Sequence, residues 1–430
     1  MPGMRPVLAK VGTSAAGAIA VAIIIAGCTP APPRPSGSAG TSTVSPSAAG
    51  TVPPAEPPLP ARSLPPPACT AATAPSAGLT GVHTAMVSVP GSPFGVAAAA
   101  QGRWAFVAVP GGVEVLRAGQ SLTPTLVRRI AVAGSPAGVA LTPDGRYLLA
   151  ADGSGAVVIS VARAEQGTAG AVLGTLSAPG GAQDDSAIEA AVSPDGQFAF
   201  VTLEYADQAV VFNLGAALRT GFGAANYVGS VPLGQAAVGM AVSPDGRWLY
   251  ATSETALTVH GPAGGPHGTL TVIGLRRAET DPASSVVATV DAGCQPVRVI
   301  TSADGGEVWV TARASDDLLC FSAARLVSDP ASALVAVVRV GEAPVGLAAV
   351  HGGSLVVVAD SNRFGASGAA ADLDVVNVAA ALSSGRAVVG HIAAGSFPRE
   401  MALLPDGTLL VTNYASGQVE AVDVASIPGG

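Results

Sequence analysis

Gly239-Met240-Ala241-Val242-Ser243-Pro244-Asp245-Gly246-Arg247-Trp248-Leu249-Tyr250-Ala251-Thr252 decides the fold of this chain. Its first apolar run, Gly239–Val242, suits a strand buried on both faces. Pro-Asp-Gly then makes a tight turn, proline presetting φ and glycine accepting a positive one. Leu249–Thr252 returns as a second strand. The same phrase recurs at 135–151, and its turn again at Pro194-Asp195-Gly196, Ala303-Asp304-Gly305 and Pro405-Asp406-Gly407. It is degenerate at Gln101-Gly102 and at His351-Gly352-Gly353. The turn glycines, Gly102, Gly145, Gly196, Gly246, Gly305, Gly352 and Gly407, lie 43 to 59 residues apart and count seven copies.

Each copy continues with a third strand, such as Ala209–Asn213, and a fourth apolar run, such as Leu126–Val132. Four antiparallel strands per copy predict an all-β, seven-bladed β-propeller with four-stranded antiparallel blades over 81–430. A β-helix would repeat at a much shorter period. An extra strand, Thr84–Pro90, precedes the first copy, and the last copy stops at Val419–Asp423 without an outer strand. The N-terminal strand is therefore expected to complete the last blade and close the ring, removing exposed edges.

The copies resemble the YVTN-type β-propeller repeat. Leu249-Tyr250-Ala251-Thr252 and Leu410-Val411-Thr412-Asn413 match its Tyr-Val-Thr-Asn-like strand, and Val419-Glu420-Ala421-Val422-Asp423 its Val-x-Val-Ile-Asp strand. The resemblance covers about 81–425. WD40 repeats fit worse, since no Gly-His…Trp-Asp pair recurs.

The N-terminus reads as targeting sequence. Arg5 and Lys10 precede the uncharged stretch Val11–Ala26, about as long as a signal-peptide apolar region and short for a spanning helix. Ile25-Ala26-Gly27-Cys28 resembles a bacterial lipobox, with isoleucine where leucine is commoner, and implies a signal peptide over 1–27 with Cys28 lipidated. Residues 28–80 are then a tether. Thr29–Ala68 holds thirteen prolines, which remove backbone donors and prevent a packed core. The resemblance implies a lipid anchor on the extracytoplasmic face of the cytoplasmic membrane. Losing Arg5 and Lys10, but no acid, moves the net charge from −8 to about −10. An acidic body argues against nucleic acid as a partner.

The repeat separates structure from chemistry. Asp144, Asp195, Asp245, Asp304 and Asp406 recur with the turn and belong to it. At the position that should face the mouth of the central channel, the copies read Gly95, Gly138, Glu189, Gly239, Arg298, Gly346 and Glu400. Three charges break the symmetry. After the second strands come Glu204, Glu254 and Arg313, with Asp360 and Asn413 nearby, while Asp184 and Asp185 lead to Glu189. The candidate ligand-binding set is Glu189, Arg298, Glu400, Glu204 and Arg313, around a pocket for a small polar ligand, a cation or a protein partner on the top face. The alternative is a solvated rim of ion pairs.

No Gly-x-Ser-x-Gly elbow, Walker loop, Cys-x-x-Cys pair or His-Glu-x-x-His helix is present, and no cofactor, metal or catalytic residue is assigned. His260 and His267 fall in a Gly/Pro-rich insertion, read as a flexible loop in preference to a metal clip. Beyond Cys28 lie Cys69, Cys294 and Cys320. An exported setting permits a disulfide and leaves one thiol over. Cys294 and Cys320 are expected toward opposite ends of one blade, which favours Cys69–Cys294 while leaving other pairings open. The leading expectation is a membrane-anchored propeller lipoprotein acting as a binding or scaffolding module. The alternative resembles the propeller lactonases, which share seven blades and a carboxylate-lined channel.

Overall fold

A computed structural model describes residues 59, 63–71, 73–74, 76–101, 103–119, 121–181, 185–256, 267–363 and 371–429. Cys28, Gly102, Asp184 and His260 lie outside these residues. Seven four-stranded antiparallel sheets follow one another in sequence. Blades one to six span 96–131, 139–177, 187–232, 235–291, 296–339 and 344–394. The seventh combines Pro398–Leu403, Thr408–Asn413 and Gln418–Asp423 with Thr84–Ser88 as its outer strand. Met86 lies opposite Glu420 in this clasp. Among the described residues no helix is long and apolar enough to cross a membrane.

The core lies between adjacent sheets. Phe200 and Val211 of blade three pack with Leu249, Ala251 and Ile273 of blade four in one buried cluster. Full burial of each of the larger side chains, Phe200, Val211, Leu249 and Ile273, stabilises by about 1.5–3 kcal/mol. The turn aspartates are built in as the repeat implied. Asp245 Oδ1 accepts from the Ser243 hydroxyl at 2.6 Å and from the Arg247 N–H at 3.0 Å. The Ser243 bond holds the Asp245 carboxyl below its usual range.

Short helices follow the third strands of blades two to six: Val161–Gln166, Leu214–Thr220, Leu275–Ala278, Ala323–Ser328 and Val378–Ser383. They are too short to show a helical period. Asn213 caps one by accepting from the Ala216 N–H at 2.8 Å, and Asn377 another from the Ala380 N–H at 2.9 Å.

The chain joins the ring earlier than a spacer ending near residue 80 would. Leu64 N–H donates to Leu334 O at 2.9 Å, and Ala74 N–H to Val340 O at 3.2 Å. Ser76 Oγ donates to Asp374 Oδ1 at 2.8 Å, and Leu79 N–H to His391 O at 2.7 Å. Leu64, Ala74, Ser76 and Leu79 thus tie this stretch to blades five and six. Proline-rich composition hid this, because the bonds are made one backbone group at a time. A Cys69–Cys294 disulfide pins the segment, and Cys320 is a buried free thiol.

Blades are also linked edge to edge near the channel. In blades three to seven the register between inner and second strands shifts at equivalent places: Ala187/Ala190, Ala237/Met240, Pro296/Val299, Pro344/Leu347 and Pro398/Met401. A bulge of this kind frees an N–H and re-aims a side chain. In four of these blades a threonine hydroxyl takes the freed N–H. Thr202, Thr252, Thr311 and Thr412 accept from Glu189, Gly239, Arg298 and Glu400 at 3.0, 2.9, 3.1 and 3.0 Å. Each hydroxyl then donates to the next blade, to Val238 O, Val297 O, Val345 O and Phe94 O at 2.9, 2.8, 2.8 and 2.7 Å. Where alanine replaces threonine, the Gly138 N–H reaches Ile188 O directly at 2.7 Å. A Cβ at Gly138 would lie 2.5 Å from that carbonyl, so glycine is required there.

The bond from Thr412 to Phe94 joins the last blade to the first. Replacing Thr412 by Val keeps the shape but strands the Glu400 N–H and the Phe94 carbonyl. Urea unfolding should show a loss of about 2 kcal/mol. A change below about 0.5 kcal/mol would place ring closure elsewhere.

Candidate functional site

The bulges aim Glu189, Arg298 and Glu400 at one another. Arg298 Nε donates to Glu400 Oε1 in a short ion pair and lies 3.4 Å from Glu189 Oε2. The Arg298 side chain is 6% exposed and each glutamate 15%, so all three are largely stripped of water. Arg298 Nη1 and Nη2 are buried and meet no acceptor among the described residues. Each bulge is preceded by a residue in the left-handed region, Ser186, Ala236, Gln295, Ala343 or Phe397, with φ between 51° and 55°. Non-glycine residues adopt such angles at a cost, and strain of this sort gathers at functional sites.

The electrostatics separate the two glutamates from their arginine. Burial, and then repulsion by Glu400, push the Glu189 carboxyl up to about 8, with Arg298 opposing. Burial works against the Arg298 charge, but Glu400 and Glu189 outweigh it and hold the guanidinium more firmly protonated than usual. Near neutral pH one proton is therefore held on the Glu189 side of the triad.

A further arginine completes the mouth. The position before the triad reads Phe94, Ala137, Ile188, Val238, Val297, Val345 and Arg399. Ile188, Val238, Val297 and Val345 form a buried apolar ring, with Phe94 and Phe397 against it. Arg399 takes the seventh place, its guanidinium 3.6 Å from the centroid of Phe94 and within reach of Phe397 and Tyr414 at 5.4 and 5.7 Å. Burial first, then the like charge of Arg298, push Arg399 below the usual arginine range. Arginine still remains protonated in proteins. Sequence comparison at the triad position missed Arg399; the same comparison one residue earlier exposes it.

The other two candidates fall outside the triad. Arg313 pairs with Glu254 at 2.6 Å and donates to Gln295 Oε1 at 3.2 Å. Glu204 accepts from the Ser186 hydroxyl at 3.2 Å. Both follow a second strand, where loop geometry turns each toward its local partner. Asp360 and Asn413 are buried within their own blades, Asn413 donating to Glu420 Oε2 at 3.1 Å. Arg313 still contributes field: Arg298, Arg313 and Arg363 interact as like charges, with Glu254 and Glu400 opposing.

Seven four-stranded blades closed into a ring place the chain in the class of seven-bladed propellers. A family model for "Lactonase, 7-bladed beta-propeller" matches residues 80–364, and the chain belongs to that family. No curated protein matches it. Among solved structures it is similar to hydrazine synthase of Kuenenia stuttgartiensis, at 16% identity and a TM-score of 0.60, over 81% of this chain and 99% of that one. A chain of a mitotic checkpoint complex matches at 15% identity and a TM-score of 0.58, over 79% of this chain and 92% of that one. At such identity the likeness is one of fold.

The raised Glu189 carboxyl has a measurable consequence. The folded chain binds a proton there up to about pH 8, whereas an ordinary glutamate carboxyl loses it at about 4.5. Its stabilising contribution is complete below about 4.5 and is lost as pH rises through about 8. Glu189→Gln should remove that part of the slope in denaturation curves taken from pH 5 to 9. An unchanged slope would mean that Glu189 titrates in the ordinary carboxylate range.

Proposed function

We propose that this chain is a lipid-anchored extracytoplasmic propeller that binds a small carboxylate-bearing ligand at the channel mouth. The observation that carries the reading is the Arg298 guanidinium, held by two glutamates through one edge while Nη1 and Nη2 are buried without an acceptor. A guanidinium fork matches the two oxygens of a carboxylate. The local charge favours an anion as well. Four arginines, Arg298, Arg313, Arg363 and Arg399, interact there with Glu189, Glu254 and Glu400, and Glu189 is raised to about 8. The four arginines outnumber the three glutamates, and burial favours the neutral form of Glu189. A steered anion gains from that excess in a low-dielectric mouth. Anchoring is supported by the Ile25-Ala26-Gly27-Cys28 sequence behind a short apolar stretch.

One observation favours a second reading, a lactonase-like hydrolase. A carboxyl near pH 8 is poised for general acid–base work, and Glu189 belongs to a chain of the lactonase family. Turnover decides between the two.

Calorimetry with malate, succinate and citrate should show binding that Arg298→Lys weakens at least tenfold. The lysine keeps the charge but lacks the fork, and a tenfold loss corresponds to about 1.4 kcal/mol. Five- and six-membered lactones should show no hydrolysis above background. Binding of none of these anions would overturn the proposal, and hydrolysis abolished by Glu189→Gln would install the enzyme reading. In the same cells, Cys28→Ser should move the chain from the membrane fraction to the soluble one.

A further inference from the structure

The staple between the N-terminal segment and the ring carries a third donor. Ligand atoms of Cys69, Cys294 and His267 all lie within 4.8 Å of one another. His267 is completely buried, unlike the flexible-loop residue its Gly/Pro-rich neighbourhood suggested. Its main chain is fixed: Ala256 N–H donates to His267 O at 2.7 Å, and Gly268 N–H to Gly293 O at 2.8 Å.

The two ring nitrogens have different fates. Asp291 meets His267 Nδ1 with both carboxylate oxygens at 2.8 Å, and its Oδ1 also accepts from the Gly293 N–H at 2.8 Å. Nε2 is buried with no partner among the described residues. A carboxylate on one imidazole nitrogen fixes the tautomer that leaves a lone pair on the other. This is the outer arrangement that metal-ligating histidines use. The His267 ring thus sits in the same tight cluster as the two sulfurs with one buried nitrogen unpartnered, and an orphaned buried group of this kind calls for an explanation.

We propose that Cys69, Cys294 and His267 form a redox-gated site for a thiophilic divalent ion of the Zn2+ type. In the oxidised chain the two sulfurs are joined and offer no thiolate. A dithiol reductant transfers two electrons and two protons to the bond, breaking S–S and leaving Cys69 and Cys294 as thiols while the reductant closes its own disulfide. The ion then displaces both sulfur protons and binds two thiolates and the imidazole, with a fourth position for an outside ligand. Zn–S bonds of about 2.3 Å and a Zn–N bond of about 2.0 Å need only small side-chain rotations in a cluster this tight. Either state ties the segment around Cys69 to the loop between blades four and five. The clasp therefore survives reduction when the metal is present.

The test uses the full-length chain reduced with dithiothreitol and freed of it by anaerobic gel filtration. Zn2+ titration should give one ion per chain, and the untreated oxidised chain should bind none at this site. Co2+ in place of Zn2+ should give a thiolate-to-cobalt charge-transfer band, which reads the ligands without any substitution. Asp291→Asn should weaken Zn2+ binding about tenfold, in line with outer-shell effects, while the reduced Cys69→Ser/Cys294→Ser chain should lose it. No charge-transfer band in the reduced wild type, or the same Zn2+ affinity in the double serine variant, would overturn the proposal.

Discussion

One threonine hydroxyl, doing two things at once, holds the ring together where it matters. A bulge in the inner strand releases an N–H that has no strand partner, and Thr202, Thr252, Thr311 and Thr412 accept it. The same hydroxyl donates to the carbonyl of the next blade. A buried polar group left unpaired costs about 1–3 kcal/mol, so in these four blades the hydroxyl offsets the N–H that the bulge sets free. Apolar packing between sheets is non-directional; the threonine bridges add directed hydrogen bonds at four of the junctions between neighbouring blades. The last of them, together with the Thr84–Ser88 strand, closes the circle.

The candidate site is what happens when that device carries a side chain. All three charged departures, Glu189, Arg298 and Glu400, occur at bulges whose N–H is held by threonine. Their main chain is fixed by these bonds, and Arg298 then holds the two glutamate side chains on either side of it. Burying three charges together is costly unless they are paired. Arg298 satisfies Glu400 directly and Glu189 partly, and the remaining imbalance is met by a proton on Glu189 below about pH 8. Arg399 on the face of Phe94 adds a second cation, which Glu400 opposes only in part.

Much of this was legible in the sequence because repetition makes its own controls. Blade number, turn chemistry, the closing strand and the triad all follow from comparing equivalent positions. The turn aspartates were set aside as structural for the same reason. Features outside the repeat were not legible. The helices after the third strands have four to seven residues, under two turns, and leave no period. The proline-rich approach reads as a spacer, yet from Leu64 it pairs with blades five and six through isolated backbone bonds. Arg313 and Glu204 share the right loops with the triad but turn to Glu254 and Ser186, a choice of rotamer and neighbour that spacing does not encode. The Cys69–Cys294 bond was the favoured pairing; the buried His267 beside it was not foreseen.

The account's central claim is that broken symmetry at the channel mouth built an anion anchor on Arg298. A crystal structure with bromosuccinate, located by the bromine's anomalous signal, tests it most directly. The account predicts one ligand carboxylate bridging Arg298 Nη1 and Nη2, with Glu189 and Glu400 still in place on either side. Bromine sites confined to the outer surface, with only water at the Arg298 fork, would contradict it.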